Sequence, residues 1–139
     1  MKRIFISFDY DNDRHYRYLL KALKDNPRSD IQFIDATPEE IQSSDISRIK
    51  AVLTKKIRDA THTLVIIGKH ANSYHSDRAE IGQRNWQWWE IVKSYEENKK
   101  LVAVKIESSN TSPDPILGKA DSWAMSFKVD SIIKAIDSA

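Results

Sequence analysis

Thr63-Leu64-Val65-Ile66-Ile67-Gly68 is an unbroken apolar run closed by a glycine, and it restricts the fold more than any other stretch. A strand with one face in water alternates apolar and polar residues. A strand without alternation is covered on both faces, as happens inside a parallel sheet sandwiched by helices. Two further segments read the same way: Arg3-Ile4-Phe5-Ile6-Ser7-Phe8 and Leu101-Val102-Ala103-Val104-Lys105-Ile106. Between them the apolar period changes to that of a helix. Tyr16, Leu19, Leu20 and Leu23 recur at helical spacing until Asn26-Pro27 stops them. After Ser43-Ser44-Asp45, the residues Ile46, Ile49, Leu53, Ile57 and Ala60 mark one face of a second helix.

The remaining segments extend the alternation. Asp30-Ile31-Gln32-Phe33-Ile34-Asp35 reads as a strand, and Thr37-Pro38-Glu39-Glu40 as a capped helix start. A polar loop from Lys69 to Arg78 leads into a helix expected over roughly 80–97, with Ile81, Trp88, Val92 and Tyr95 as its buried stripe. Glu107 to Ala120 reads as a loop. Ser122 to Phe127 alternates like a short edge strand, and Val129, Ile132, Ile133 and Ile136 mark a closing helix. Strand and helix thus alternate about five times. This predicts a flavodoxin-like, doubly wound α/β sheet of about five mostly parallel strands, with right-handed crossovers and helices on both faces. At 139 residues, one domain spanning 1–139 is expected.

Composition removes several function classes. There is no cysteine, so disulfides, thiolate metal sites and cysteine nucleophiles are excluded. The net charge is +2 with the basic residues dispersed, which gives no footprint for nucleic acid. No apolar run is long enough to span a bilayer, and Met1-Lys2-Arg3 leads straight into a strand. A cytoplasmic protein with no membrane partner is therefore expected. Three glycines, Gly68, Gly82 and Gly118, cannot write a dinucleotide fingerprint or a phosphate-binding loop. His70, His75 and Asp77 fit either a metal site or a solvated loop; no ligand spacing supports the metal, and none is expected. Asp9, Asp11 and Asp13 fit either a magnesium cluster or helix capping. A receiver domain would want an aspartate where Gly68 stands. Ser7 lacks the glycines of a nucleophile elbow.

Ligands of such sheets bind beyond the carboxyl ends of the strands, where strand order reverses. Here those ends offer Ser7, Phe8 and Asp9; Asp35; Gly68, Lys69 and His70; and Ile106 to Ser109. One further pair stands out. In Trp86-Gln87-Trp88-Trp89-Glu90-Ile91, Trp86 and Glu90 share a helix face. A ring beside a carboxylate suits a cationic, sugar-like transition state. An ordinary amphipathic helix can carry the same residues, with Glu90 at the surface paired to Lys93.

These residues together resemble a TIR domain, and more narrowly the short bacterial TIR-like proteins of Thoeris antiphage defence. The apolar opening strand ending in Ser7-Phe8 matches the first TIR strand, and Phe8-Asp9-Tyr10 with Asp13 suits the Thoeris-like branch. Thr63 to Gly68 is similar to the third strand of the family. Trp86, three residues, Glu90 and Ile91 follow its tryptophan-glutamate pattern, and Asn98 to Val104 resembles the turn and strand that follow. Gln87 stands where receptor members carry cysteine, and Asp35 to Ser44 does not look like their BB loop.

The resemblance implies an activity: cleavage of the nicotinamide–ribose bond of NAD+, with formation of a cyclic ADP-ribose-type signal. It implies NAD+ as substrate, no prosthetic group, self-association through TIR–TIR contacts, and a downstream effector that senses the product. The family's catalytic glutamate falls on Glu90, and its tryptophan on Trp86. The role requires ionised Glu90, so burial should not raise its pKa strongly. Trp86 would wall the ribose or stack on a flat ring. Ser7, Phe8 and Asp9 would line the nicotinamide side, with Asp35 and Gly68 at the neighbouring strand ends. Two alternatives stay open: a non-catalytic scaffold acting by assembly, and a nucleoside deoxyribosyltransferase-like enzyme on a related fold.

Overall fold

In the computed structural model, which describes residues 1–9, 21–22, 25, 30–34 and 45–139, the apolar runs form the strands of one sheet. These are β1 (Lys2–Ser7), β2 (Ile31–Ile34), β3 (His62–Ile67), β4 (Lys100–Lys105) and β5 (Ser122–Ala124). Their order across the sheet is β2-β1-β3-β4-β5, and all four pairings are parallel. The described helices are α1 (Ile46–Asp59), α2 (Arg78–Ile81), α3 (Trp86–Glu96) and α4 (Val129–Ser138), with a 3₁₀ turn at Asp114–Ile116.

Helices on both faces explain the missing alternation. Ile4 and Ile6 of β1, Leu64 and Ile66 of β3, and Val102 and Val104 of β4 pack on Ile132, Ala135 and Ile136 of α4. The intervening residues face the other way. Phe5 meets Ile49, Leu53 and Ile57 of α1, while Val65, Ile67, Leu101 and Ala103 meet Ile91 of α3. The periodicity of α1 thus faces a cluster shared by the sheet residue Phe5 and by Ile81 and Trp86 of the neighbouring helices. Its start is fixed by Asp45, whose carboxylate accepts from the Ser47 and Arg48 amides at 2.9 and 3.4 Å.

Strand order 2-1-3 has a functional consequence. The chain leaves β1 toward one edge of the sheet, then returns past it to build β3. Connections diverge at that point, and in open sheets of this kind ligands bind at the carboxyl ends of the flanking strands, here β1 and β3.

Three expectations need correction. The helix expected over 80–97 is two helices. Gly82 adopts φ 84°, a left-handed conformation that ends α2, and Asn85 then caps a fresh start at Trp86. The buried face of α3 is also not the expected one. Trp86, Gln87, Glu90, Ile91 and Ser94 are buried, Trp88 and Val92 are half-buried, and Tyr95 is exposed. Apolar count alone selected the wrong stripe, because polar contacts with the sheet decide which side faces inward. The expected edge strand over 122–127 is shorter, ending at Ala124. Of the helix read from Tyr16, Leu19, Leu20 and Leu23, only residues 21–22 are described, and they are helical; the helix start at Thr37–Glu40 lies outside the described residues.

The opposite, amino-terminal edge of the sheet carries a titratable group. His62 is buried, with Nδ1 2.7 Å from Thr61 Oγ1. Burial lowers its pKa from the ordinary 6.5, and the positive charges of Lys2 and Lys100 add to this against Asp121. An unfolded chain therefore binds the proton more readily than the folded one. Stability should be constant above the unfolded value and should fall as pH drops through 6.5 and below. Thermal melts from pH 8 to about pH 5 check this. The decline should be shallower in His62→Gln, and equal slopes in the two proteins would remove His62 as its source.

Candidate functional site

The site is set by how α3 enters the sheet. Asn85 accepts a hydrogen bond from the Trp88 amide at 2.9 Å, and its Nδ2 donates to the carbonyls of Ala71 and Ser73 at 3.0 and 2.9 Å. One side chain therefore caps the helix and ties it to the loop after β3. Trp88 Nε1 donates to Asn72 Oδ1 at 3.1 Å. The Arg84 guanidinium lies between the rings of Tyr74 and Trp88, 4.4 and 4.6 Å from their centroids. This scaffold holds the first turn of α3 above the carboxyl edge of the sheet.

A line of polar side chains then runs down the inner face of the helix. Gln87, Glu90 and Ser94 are spaced by three and four residues, so they stack on one side. Gln87 Nε2 donates to the Ser7 carbonyl at 3.1 Å and to the Ile66 carbonyl at 2.7 Å. Ser7 Oγ donates to Glu90 Oε1 at 2.6 Å. Deeper in, the Thr63 and Ser94 hydroxyls are 2.7 Å apart. Ser7 is fully buried and Glu90 only 2 % exposed. At 2.6 Å this bond is at the short end of the O–H···O range. Glu90 is thus an inward-facing acceptor at the junction of β1 and β3, not a surface carboxylate. Lys93, the alternative partner, instead lies 4.0 Å from Glu96 and 3.6 Å from Glu97. The Glu97 carboxyl is held below the ordinary range chiefly by a hydrogen bond from Arg58.

The other expected site residues separate. Ser7 meets Glu90 directly. Phe8 turns to the opposite face and packs with Ile4, Ile6 and the α4 side of the core, so the sheet divides its ring from Glu90. Asp9 is half-buried two residues beyond Ser7. Gly68 is buried just past β3, and its carbonyl accepts from the Ala71 amide at 3.4 Å. Trp86 is 7 % exposed and belongs to the core formed with Phe5, Ile49, Leu53, Ile57 and Ile81. Its ring meets Trp89 edge-on, with centroids 5.8 Å apart. Any substrate contact by Trp86 is confined to the small exposed part. Asp35 lies outside the described residues. His75 Nδ1 accepts the Asp77 amide at 2.9 Å, a turn contact, and among the described residues no three His, Cys, Asp or Glu side chains gather as metal ligands.

Sequence reasoning named Glu90 and Ser7, which the structure brings into contact, and did not name Gln87 or Ser94 as members of the same polar line. The signal was present: three hydrogen-bonding side chains at positions i, i+3 and i+7 of a largely apolar helix. Chemically, the arrangement places a nearly buried carboxyl group, hydrogen-bonded to a hydroxyl, at the carboxyl end of β1 in a doubly wound sheet. Such a group can stabilise a positive charge or accept hydrogen bonds from sugar hydroxyls.

Comparison with known proteins agrees with this architecture. The family model described as "Thoeris protein ThsB, TIR-like domain" matches residues 5–111. A prokaryotic SEFIR domain has a TM-score of 0.60 at 17% identity, covering 99% of this chain and 94% of the other. A 2-deoxyribosyltransferase from Bacillus psychrosaccharolyticus also has a TM-score of 0.60, at 15% identity, covering 90% of this chain and 87% of that one. A 2-desoxiribosyltransferase from Leishmania mexicana has a TM-score of 0.53 at 15% identity, with coverages of 87% and 73%. At these identities the three structures share the fold alone. No curated protein matches the sequence.

Proposed function

We propose a function that starts from one premise: this chain belongs to the TIR-like domain family of the Thoeris protein ThsB. On that basis it cleaves the nicotinamide–ribose bond of NAD+ in the cytoplasm during antiphage defence. It releases nicotinamide and a cyclic ADP-ribose-type signal that a downstream effector reads. The observation that carries the reading is the inward-facing Glu90 carboxylate, hydrogen-bonded to Ser7 where β1 and β3 end.

The chemistry follows from charge. The glycosidic nitrogen of NAD+ is a pyridinium. When the C–N bond breaks, its electron pair stays on nitrogen, neutral nicotinamide departs, and the ribose carbon becomes oxocarbenium-like. A carboxylate beside that carbon stabilises the developing positive charge and accepts from the ribose hydroxyls. Glu90 has this role, and Ser7 orients it. Attack by water, with loss of a proton, yields ADP-ribose. Attack by a nitrogen of the substrate's own adenine closes a ring. Self-association through TIR–TIR contacts completes the site, so specific activity rises with protein concentration.

Incubation with NAD+ followed by mass spectrometry tests the proposal. The expected products are nicotinamide with either ADP-ribose or a species lighter by one water. NAD+ left unchanged at every protein concentration, with and without phage-infected extract, would overturn it.

The second reading is a non-catalytic scaffold. One observation favours it: Glu90 braces α3 against β1, which alone would be a structural reason for an acidic residue. A protein that assembles without consuming NAD+ would establish it.

A further inference from the structure

The side chain beside Glu90 has an unused capacity. Gln87 is 3 % exposed. Its amide nitrogen carries two protons, and both are committed, one to the Ser7 carbonyl and one to the Ile66 carbonyl. The two carbonyls fix which end of the amide is nitrogen, because the reverse orientation would set oxygen against two oxygens. Oε1 must therefore face away from them. It is buried and accepts no hydrogen bond among the described residues. Buried acceptors are rarely left unmet in folded proteins. This one sits three residues before Glu90, on the same helix face, and both side chains hold Ser7: Gln87 through its carbonyl and Glu90 through its hydroxyl.

Resting on the NAD+ reading above, we propose that Gln87 Oε1 accepts the carboxamide N–H of the leaving nicotinamide and makes Gln87 a specificity-determining residue. An amide whose protons are both engaged can read only a donor. The pyridinium ring of the leaving base offers one donor group, its carboxamide NH2. A base bearing a ketone or a carboxylate there has no proton to give and would place oxygen against oxygen. Glu90 remains free of this task and acts on the ribose. Because Oε1 is buried, recognition requires the rim between Ser7 and α3 to admit the base.

The test compares NAD+ with 3-acetylpyridine adenine dinucleotide, in which the carboxamide is replaced by a methyl ketone. The wild-type protein should prefer NAD+ in kcat/KM by about 10–100-fold. Gln87→Met keeps the length of the side chain and removes the acceptor together with both donors to the Ser7 and Ile66 carbonyls, and the preference should shrink to within about threefold of unity. Comparing the two ratios cancels the intrinsic difference between the leaving groups. An equal preference in wild type and variant overturns the inference while leaving NAD+ cleavage standing. Should Gln87→Met fail to fold by circular dichroism, calorimetry of wild type with nicotinamide and with 3-acetylpyridine decides instead. Tighter binding of the amide supports the proposal, and equal binding overturns it. The same calorimetry separates the two readings if wild type does not turn over NAD+. Preferential nicotinamide binding then supports the Gln87 assignment, and no binding of either base sinks it together with the proposed function.

Discussion

Glu90→Gln should reduce nicotinamide release from NAD+ by about 10²–10⁴-fold, with little change in folding. The substitution is nearly isosteric. Its amide oxygen can still accept from the Ser7 hydroxyl, which donates to Glu90 at 2.6 Å in the native protein. What disappears is the negative charge. That charge matters little to a substrate whose positive charge is spread over the pyridinium ring, and much to a transition state whose positive charge sits on the ribose. The loss should therefore fall on kcat, with KM nearly constant. A matching melting temperature for the two proteins would exclude unfolding as the cause. Wild-type turnover in Glu90→Gln would leave the carboxylate with only its bracing function, and the scaffold reading would take precedence. Ser7→Ala supplies a graded control. It removes the orienting hydroxyl but keeps the charge, so its effect on kcat should be smaller than that of Glu90→Gln.

The fold was legible because burial on both faces leaves a plain trace in sequence. Thr63 to Ile67 shows no alternation, and the structure explains why: Leu64 and Ile66 meet α4, while Val65 and Ile67 meet the α3 side. The α1 stripe was equally clear, since Ile49, Leu53 and Ile57 face an all-apolar cluster of Phe5, Ile81 and Trp86. Reading failed at α3 for a physical reason. Its inner face is part apolar and part polar, so a search for apolar spacing lands on Trp88, Val92 and Tyr95 instead of Gln87, Glu90 and Ser94. The polar residues face inward because the sheet offers them partners: two carbonyls for Gln87, the Ser7 hydroxyl for Glu90 and the Thr63 hydroxyl for Ser94. Those partners come from strands some twenty to eighty residues earlier, and no local pattern records the pairing. Gly82 was a weaker miss. An isolated glycine inside a helical pattern carries two meanings, and only its φ of 84° selects the break.

Trp86→Ala should cost about 3–5 kcal/mol of stability, because it removes a large ring from the core beneath the site. The ring is 7 % exposed and packs among Phe5, Ile49, Leu53, Ile57 and Ile81, joining β1, α1 and α2 to the first turn of α3. Single domains are stable by only about 5–15 kcal/mol in total, so the variant should unfold at much lower urea than wild type. Trp86→Phe refills most of the volume and should cost about 1–2 kcal/mol. The pair of variants also separates packing from substrate contact. Should Trp86 act only through the core, Trp86→Phe would keep NAD+ cleavage within a few-fold of wild type, and activity in Trp86→Ala would track the folded fraction. Were the ring to stack on the substrate, Trp86→Phe would raise KM in a protein that still melts cooperatively. The first outcome is expected, since Trp86 is also the residue that seats the start of α3. Gln87 and Glu90 follow it within one turn, and both are held to Ser7 by bonds of 2.6 to 3.1 Å. A looser seat at Trp86 would shift both groups together, and the carboxyl group would lose its place beside Ser7 before the sheet itself came apart.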